Sequence, residues 1–156
     1  MILNFKNETE QKVLDIIKPK MFKFYSFSRN ETFEHYTLYR NVLGLKKSDL
    51  WVFANVPKTY GICTSTELVL VGKGFDARLD CKRQTNKGSH ITIDNIEGEI
   101  RRNTIVNRLF EKELLFVVEG EGIDWMEMKA YRKTLPKHIK ILSIKEFIKY
   151  FKEKLG

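Results

Sequence analysis

The segment from Glu67 to Gln84, ELVLVGKGFDARLDCKRQ, restricts the fold more than any other part of the chain. An apolar run is followed by Gly72-Lys73-Gly74 and then by a run in which Ala77, Leu79 and Cys81 alternate with Asp80, Lys82 and Gln84. Side chains on a strand point alternately to its two faces, so residues two apart share a face. The second run therefore predicts a strand with one apolar face for a core and one polar face for a cleft. The glycine-flanked turn predicts a hairpin joining it to the strand of the apolar run.

The chain has 156 residues, 42% of them hydrophobic, which suits one compact core and hence a single domain, 1–156. Lys and Arg number 28 against 20 Asp and Glu, a net charge of +8 that favours a polyanionic partner. MILNFKNETE lacks the apolar core of a secretory signal, and no window reaches the length of a membrane helix, so a cytoplasmic protein without membrane contact is expected. Cys63 and Cys81 lack metal-ligand spacing and read as reduced core residues.

No repeat, low-complexity tract or linker interrupts the chain, and Pro19, Pro57 and Pro136 fall between periodic segments. NETEQKVLDIIKPK predicts a helix capped at Asn7, with Val13, Ile16 and Ile17 on one face. MFKFYSF alternates as a strand does, and NETFEHYTLYRNVLG has near-helical spacing at Phe33, Tyr36 and Leu38 or Tyr39. LWVFANVPKTYGICTS reads as an irregular strand region. Ile93, Ile96, Ile100 and Val106 predict a helix that runs through Gly98, and KELLFVVEGEG a central strand buried on both faces. GIDWMEMKAYRKTLP predicts a helix, HIKILS a strand, and IKEFIKYFKEKLG a closing helix capped by Ser143 with Ile144, Phe147, Ile148 and Phe151 inward. Such alternation predicts an α/β fold, a mixed sheet with helices packed on its faces.

On the polar strand face, a carboxylate two residues from a lysine provides an acid for a divalent metal and a cation for a phosphoryl oxygen. Glu67, at the head of the apolar run, returns beside Asp80 if the turn is a hairpin, and so supplies a second acid. Mg²⁺ is commonly held by one or two carboxylates with substrate phosphate and water. The bland alternative is a solvated cross-strand pair of Asp80 and Lys82.

The order of these elements resembles the PD-(D/E)xK nuclease core, the fold of restriction endonucleases, over about residues 60–156. The likeness is carried by ELVLVGKGFDARLDCKRQ, and QTNKGS, LLFVVEGEG and HIKILSIKEFIKYF are similar to later parts of that fold. It implies a restriction-endonuclease-like mixed β-sheet flanked by helices on both faces. Glu67 and Asp80 would be the metal ligands, Lys82 the catalytic lysine and Gln84 an accessory group orienting a ligand, a backbone contact or Lys82. The pattern departs from the family in having Glu as first acid and no Pro-Asp pair. Asp76 competes for that place, and Glu8, Glu10, Glu31 and Glu34 are all available as an additional acid from an N-terminal helix. Residues 1–59 would serve recognition or dimerisation.

The implied activity is Mg²⁺-dependent hydrolysis of double-stranded DNA, with Mn²⁺ as a substitute, by a type II restriction enzyme or one of its subunits. So small a chain would act as a homodimer or with a partner subunit. Candidate DNA contacts are Lys73, Arg78, Arg83, Lys87, Arg101 and Arg102, and Tyr25 and Tyr131 are candidates for base stacking. His35, His90 and His138 lack the spacing of a metal site. The rival expectation is a catalytically inactive nucleic-acid-binding or protein-interaction module with the same fold.

Overall fold

The computed structural model describes residues 7–42, 48–57, 66–84, 91–105 and 111–156. Cys63, Lys87, His90 and Val106, with the QTNKGS segment beyond Gln84, lie outside them. The chain begins with α1 (Glu8–Ile17), where the Asn7 side chain accepts from the Glu10 N–H at 2.9 Å, as the sequence predicts. A short 3₁₀ turn carrying Pro19 follows. Then come β1 (Lys23–Ser26), α2 (Phe33–Val42), β2 (Trp51–Pro57), β3 (Thr66–Gly72) and β4 (Phe75–Gln84). The second half alternates α3 (Ile93–Ile105), β5 (Glu113–Gly120), α4 (Trp125–Arg132), β6 (Ile139–Leu142) and α5 (Ile144–Leu155). No described helix is long and apolar enough to cross a membrane.

The six strands form one mixed sheet in the order β1-β2-β3-β4-β5-β6. Antiparallel pairing joins β2 to β3 and β3 to β4, and parallel pairing joins the rest, so β3 alone runs against the other five. Parallel crossovers are right-handed, and α2, α3 and α4 each lead to the next strand in the same direction across the sheet. They are thereby sent to one face. Phe33 and Tyr36 of α2 pack there with Phe53, Val56 and Val69. Ile96 of α3 and Met128 of α4 pack with Leu114, Phe116, Val118, Ile139 and Ile141.

The opposite face is covered by α1 and α5. Val13, Leu14, Ile17, Phe147 and Phe151 meet Leu68, Leu70, Ala77, Leu79, Cys81, Leu115 and Val117 in one apolar cluster. The sheet is thus flanked by helices on both faces. β5 contributes buried residues to each face, as expected of a central strand. Cys81 is buried within this core and forms no disulfide among the described residues.

Two local irregularities set the register. Lys73 and Gly74 both have positive φ (52° and 83°), which closes the β3–β4 hairpin with the turn whose twist matches the strands. In β2 the pairing with β3 shifts by one residue between Phe53 and Val56, where Asn55 has φ 55°. That bulge lets both Phe53 and Val56 enter the α2 cluster.

Ser143 caps α5 in a reciprocal box with Glu146, each backbone N–H bonded to the other's side chain at 3.1 Å. Ser143→Ala is expected to cost about 1 kcal/mol, and Phe147→Ala about 3–5 kcal/mol because its ring lies wholly inside the core. Urea denaturation of the two variants beside the parent measures both.

Candidate functional site

Alternation along β4 places Asp76, Arg78, Asp80, Lys82 and Gln84 on the face that α2, α3 and α4 cover. Their neighbours Ala77, Leu79 and Cys81 enter the opposite core. The division predicted for Asp80, Lys82 and Gln84 is therefore present, but the polar face lies largely under helices. It forms a charged seam between the apolar cluster beneath α2 and the one beneath α3 and α4.

The hairpin register pairs Leu68 with Leu79 and carries Glu67 beside Asp80 one step further along. Both are buried, at 1% and 0% exposure. A third acid, Glu99, joins them from α3, and one oxygen from each of the three lies within 4.8 Å of the others. Lys82 Nζ stands 3.5 Å from Asp80 Oδ1. The open side of the cluster is marked by the side chains of Lys82 and Glu99, 16% and 13% exposed.

Such a cluster can hold a metal ion. Its donors are all carboxylate oxygens, the hard ligands that Mg²⁺, Mn²⁺ and Ca²⁺ take. Oxygens bound to one Mg²⁺ at about 2.0–2.1 Å stand no more than about 4.2 Å apart. The three carboxylates need only small side-chain adjustments to share an ion, so the residues fit the group.

Arg78 departs from its expected place. It was a candidate for contact with DNA, but it is buried at 1% exposure, enclosed by carboxylates. Its Nε and one terminal nitrogen donate to the two oxygens of Glu111, both at 3.0 Å, and the other terminal nitrogen donates to Glu67 Oε2 at 3.2 Å. The guanidinium lies 5.8 Å from the ring centroids of both Phe33 and Tyr36. The Tyr36 hydroxyl donates to Glu111 and accepts from Arg40 at 3.0 Å, and Arg40 reaches Asp76 at 2.9 Å. A charge under helices is costly unless paired and hydrogen-bonded, and this network supplies those partners.

Burial pushes the Glu111 carboxyl up, but the Arg78 guanidinium and the Tyr36 hydroxyl outweigh it and hold the carboxyl below the usual range. Burial pushes the Arg78 guanidinium down, while Glu111 and Glu67 together raise it above its ordinary value. Tyr36 is raised by burial first and then by the Glu111 charge.

Other expected residues fall elsewhere. Asp76 is bound to Arg40 and stands outside the acid cluster. Glu8 pairs with Arg83 at 3.2 Å, Glu31 accepts from Tyr25 and the Ser28 N–H, and Glu34 is exposed. Glu10 is buried on α1, outside the cluster. Thus, among the described residues, the acid that joins Glu67 and Asp80 comes from α3, not from an N-terminal helix. Arg83 is shared with Glu119 at 2.9 Å, Arg102 is bound to Glu99, and Arg101 is exposed. Lys73 is exposed at the hairpin tip, about 17 Å along β4 from Asp80 at ~3.3 Å per residue. Tyr25 packs edge-on to Phe27 and Tyr39, and Tyr131 packs on the α3–α4 cluster, both half-buried.

Gln84 ends the polar row against the β5–α4 turn. It pairs with Gly120 (φ 136°), where a Cβ would stand 2.2 Å from the Gln84 carbonyl oxygen. Gln84 Oε1 is buried with no hydrogen-bond partner among the described residues.

The omission of Glu99 and the place of Arg78 both have identifiable signals. Glu99 shares a helical stripe with the buried Ile96 and Asn103, at spacings of three and four. Arg78 has the same strand parity as Asp80, which places it on the face beneath α2, α3 and α4. No protein-family model, curated protein or solved structure matches the chain.

Removing the Arg78 charge leaves Glu111 and Glu67 buried without it, so Arg78→Met is expected to cost about 3–5 kcal/mol. Arg78→Met with Glu111→Gln should recover part of that loss in the same denaturant titration. Because the native Glu111 carboxyl is depressed, its stabilisation is complete above the ordinary value of 4.5 and is lost as pH falls through the lower native value. The stability difference between the parent and Glu111→Gln should therefore narrow below pH 4.5. A difference independent of pH would contradict the assignment.

Proposed function

We propose that the chain is a divalent-metal-dependent DNA endonuclease of the PD-(D/E)xK type, most simply a type II restriction enzyme or a subunit of one. The observation that carries this reading is the convergence of Glu67, Asp80 and Glu99 within 4.8 Å, from two strands and a helix, beside Lys82. Mg²⁺, with Mn²⁺ as substitute, is the ion proposed, held by Glu67, Asp80 and Glu99. When bound, it supplies polarisation of a phosphoryl oxygen and a lowered pKa for a coordinated water.

The protein's own groups have separate tasks in this proposal. Lys82, on the open side of the cluster, donates to the scissile phosphate or holds the attacking water and balances charge developing on the phosphoryl oxygens. Asp80, 3.5 Å from Lys82, keeps that ammonium oriented. Gln84, two residues on and on the same face, presents an amide at the end of the row to orient a ligand. The net charge of +8 suits a polyanionic substrate, and double-stranded DNA cut on both strands calls for a homodimer or a partner subunit.

A second reading has its own support. Each acid of the cluster already has a protein cation, Arg78 on Glu67, Lys82 on Asp80 and Arg102 on Glu99. Such pairing suits a catalytically inactive nucleic-acid-binding or protein-interaction module.

Incubation with supercoiled and linear DNA separates the two. Cleavage should require Mg²⁺ or Mn²⁺, stop with EDTA, and fall by about 100-fold or more in Asp80→Asn and Lys82→Ala proteins that retain their fold. Intact DNA under every condition, with binding that weakens steeply in salt, would favour the inactive module.

A further inference from the structure

We infer that Arg78, clamped by Glu111, is a positioning residue that holds the Glu67 carboxylate in the orientation in which it serves the cation site. This rests on the proposed cation reading of Glu67, Asp80 and Glu99. Arg78 does not itself belong to the acid cluster.

The argument is one of shape. A glutamate on a strand has three rotatable side-chain bonds, and burial alone does not choose among their settings. Guanidinium is a planar fork with donors in fixed directions. One edge is fully engaged by Glu111 at 3.0 Å on both oxygens, and Glu111 is fixed in turn by the Tyr36 hydroxyl. The rings of Phe33 and Tyr36 lie by the guanidinium. With its edge so held, the fork has one direction left for the nitrogen that reaches Glu67 Oε2 at 3.2 Å.

Charge neutralisation alone does not account for this arrangement. The two-point pair with Glu111 already balances the guanidinium. From Arg78, Glu67 receives one longer bond, which fixes that oxygen in place. Groups of this kind, bonded to a metal ligand from outside, typically change metal affinity by about 10–100-fold when removed.

The test is Mn²⁺ titration of the metal-free protein by electron paramagnetic resonance and calorimetry, with near-ultraviolet circular dichroism as the check on fold. Arg78→Lys keeps the charge but loses the fork, and Glu111→Gln frees the fork to turn fully onto Glu67. Both should weaken Mn²⁺ binding by roughly 10–100-fold. Arg78→Lys should add little when Glu67 is already Gln, because Arg78 acts through Glu67, whereas a role in folding alone would leave Mn²⁺ affinity unmoved. Folded variants that bind Mn²⁺ as tightly as the parent would overturn the inference and leave the cation site standing. A parent that binds no Mn²⁺ would overturn both. If neither variant folds, Tyr36→Phe, which removes only the hydroxyl shared by Glu111 and Arg40, decides: weaker Mn²⁺ binding supports the positioning role and unchanged binding overturns it.

Discussion

The Arg78 guanidinium shared by Glu111 and Glu67 is the contact on which the face of the sheet beneath α2, α3 and α4 depends. β4 is interior in the sheet, and α2 and α3 pack to either side of its polar face. A row of Asp, Arg, Asp, Lys and Gln in that position would ordinarily disfavour burial, since each ion must give up water. Arginine suits the site where lysine would not. Its delocalised charge is weakly hydrated, its edge matches a carboxylate at two points, and its planar group can rest near aromatic rings. Phe33 and Tyr36 belong at once to the α2 core and to this polar network, so packing of that helix and placement of the charge are one problem.

The two faces consequently do different work. Beneath α1 and α5 the cluster is continuous and apolar from β2 to β5, and non-directional burial there contributes most readily to stability. On the other face the apolar packing is split by the charged seam. Directional bonds in that seam specify which side chains meet and at what distance. Candidate ligands borne on β3, β4 and α3 are held by regular elements, which keep tighter geometry than loops.

Much of this was legible because strand parity is a strict rule. Alternation through Ala77, Leu79 and Cys81 identified the inward set, and the turn glycines identified the hairpin that returns Glu67 to Asp80. Caps at Asn7 and Ser143 located two helices through hydrogen bonds that only those side chains supply. Arg78 carries two conflicting signals, a charge that suits contact with a polyanion and the strand parity of Asp80, and its burial follows the parity. Glu111 and Tyr36 meet across 75 positions, and no local pattern announces so distant a contact. Glu99 was partly legible from its stripe on α3, but choosing it over the N-terminal acids required knowing where that helix lies on the sheet.

Charge balance connects the seam to the chemistry proposed for it. Among the described residues, Glu67, Asp80, Glu99 and Glu111 are gathered beside Arg78, Lys82 and Arg102, while Asp76 is paired with Arg40. Carboxylates brought so close repel one another, and the bonded cations of the seam offset that repulsion from outside the acid cluster. The proposed divalent ion would act in the same sense from within it, so the packing of the seam and the proposed site are one electrostatic problem.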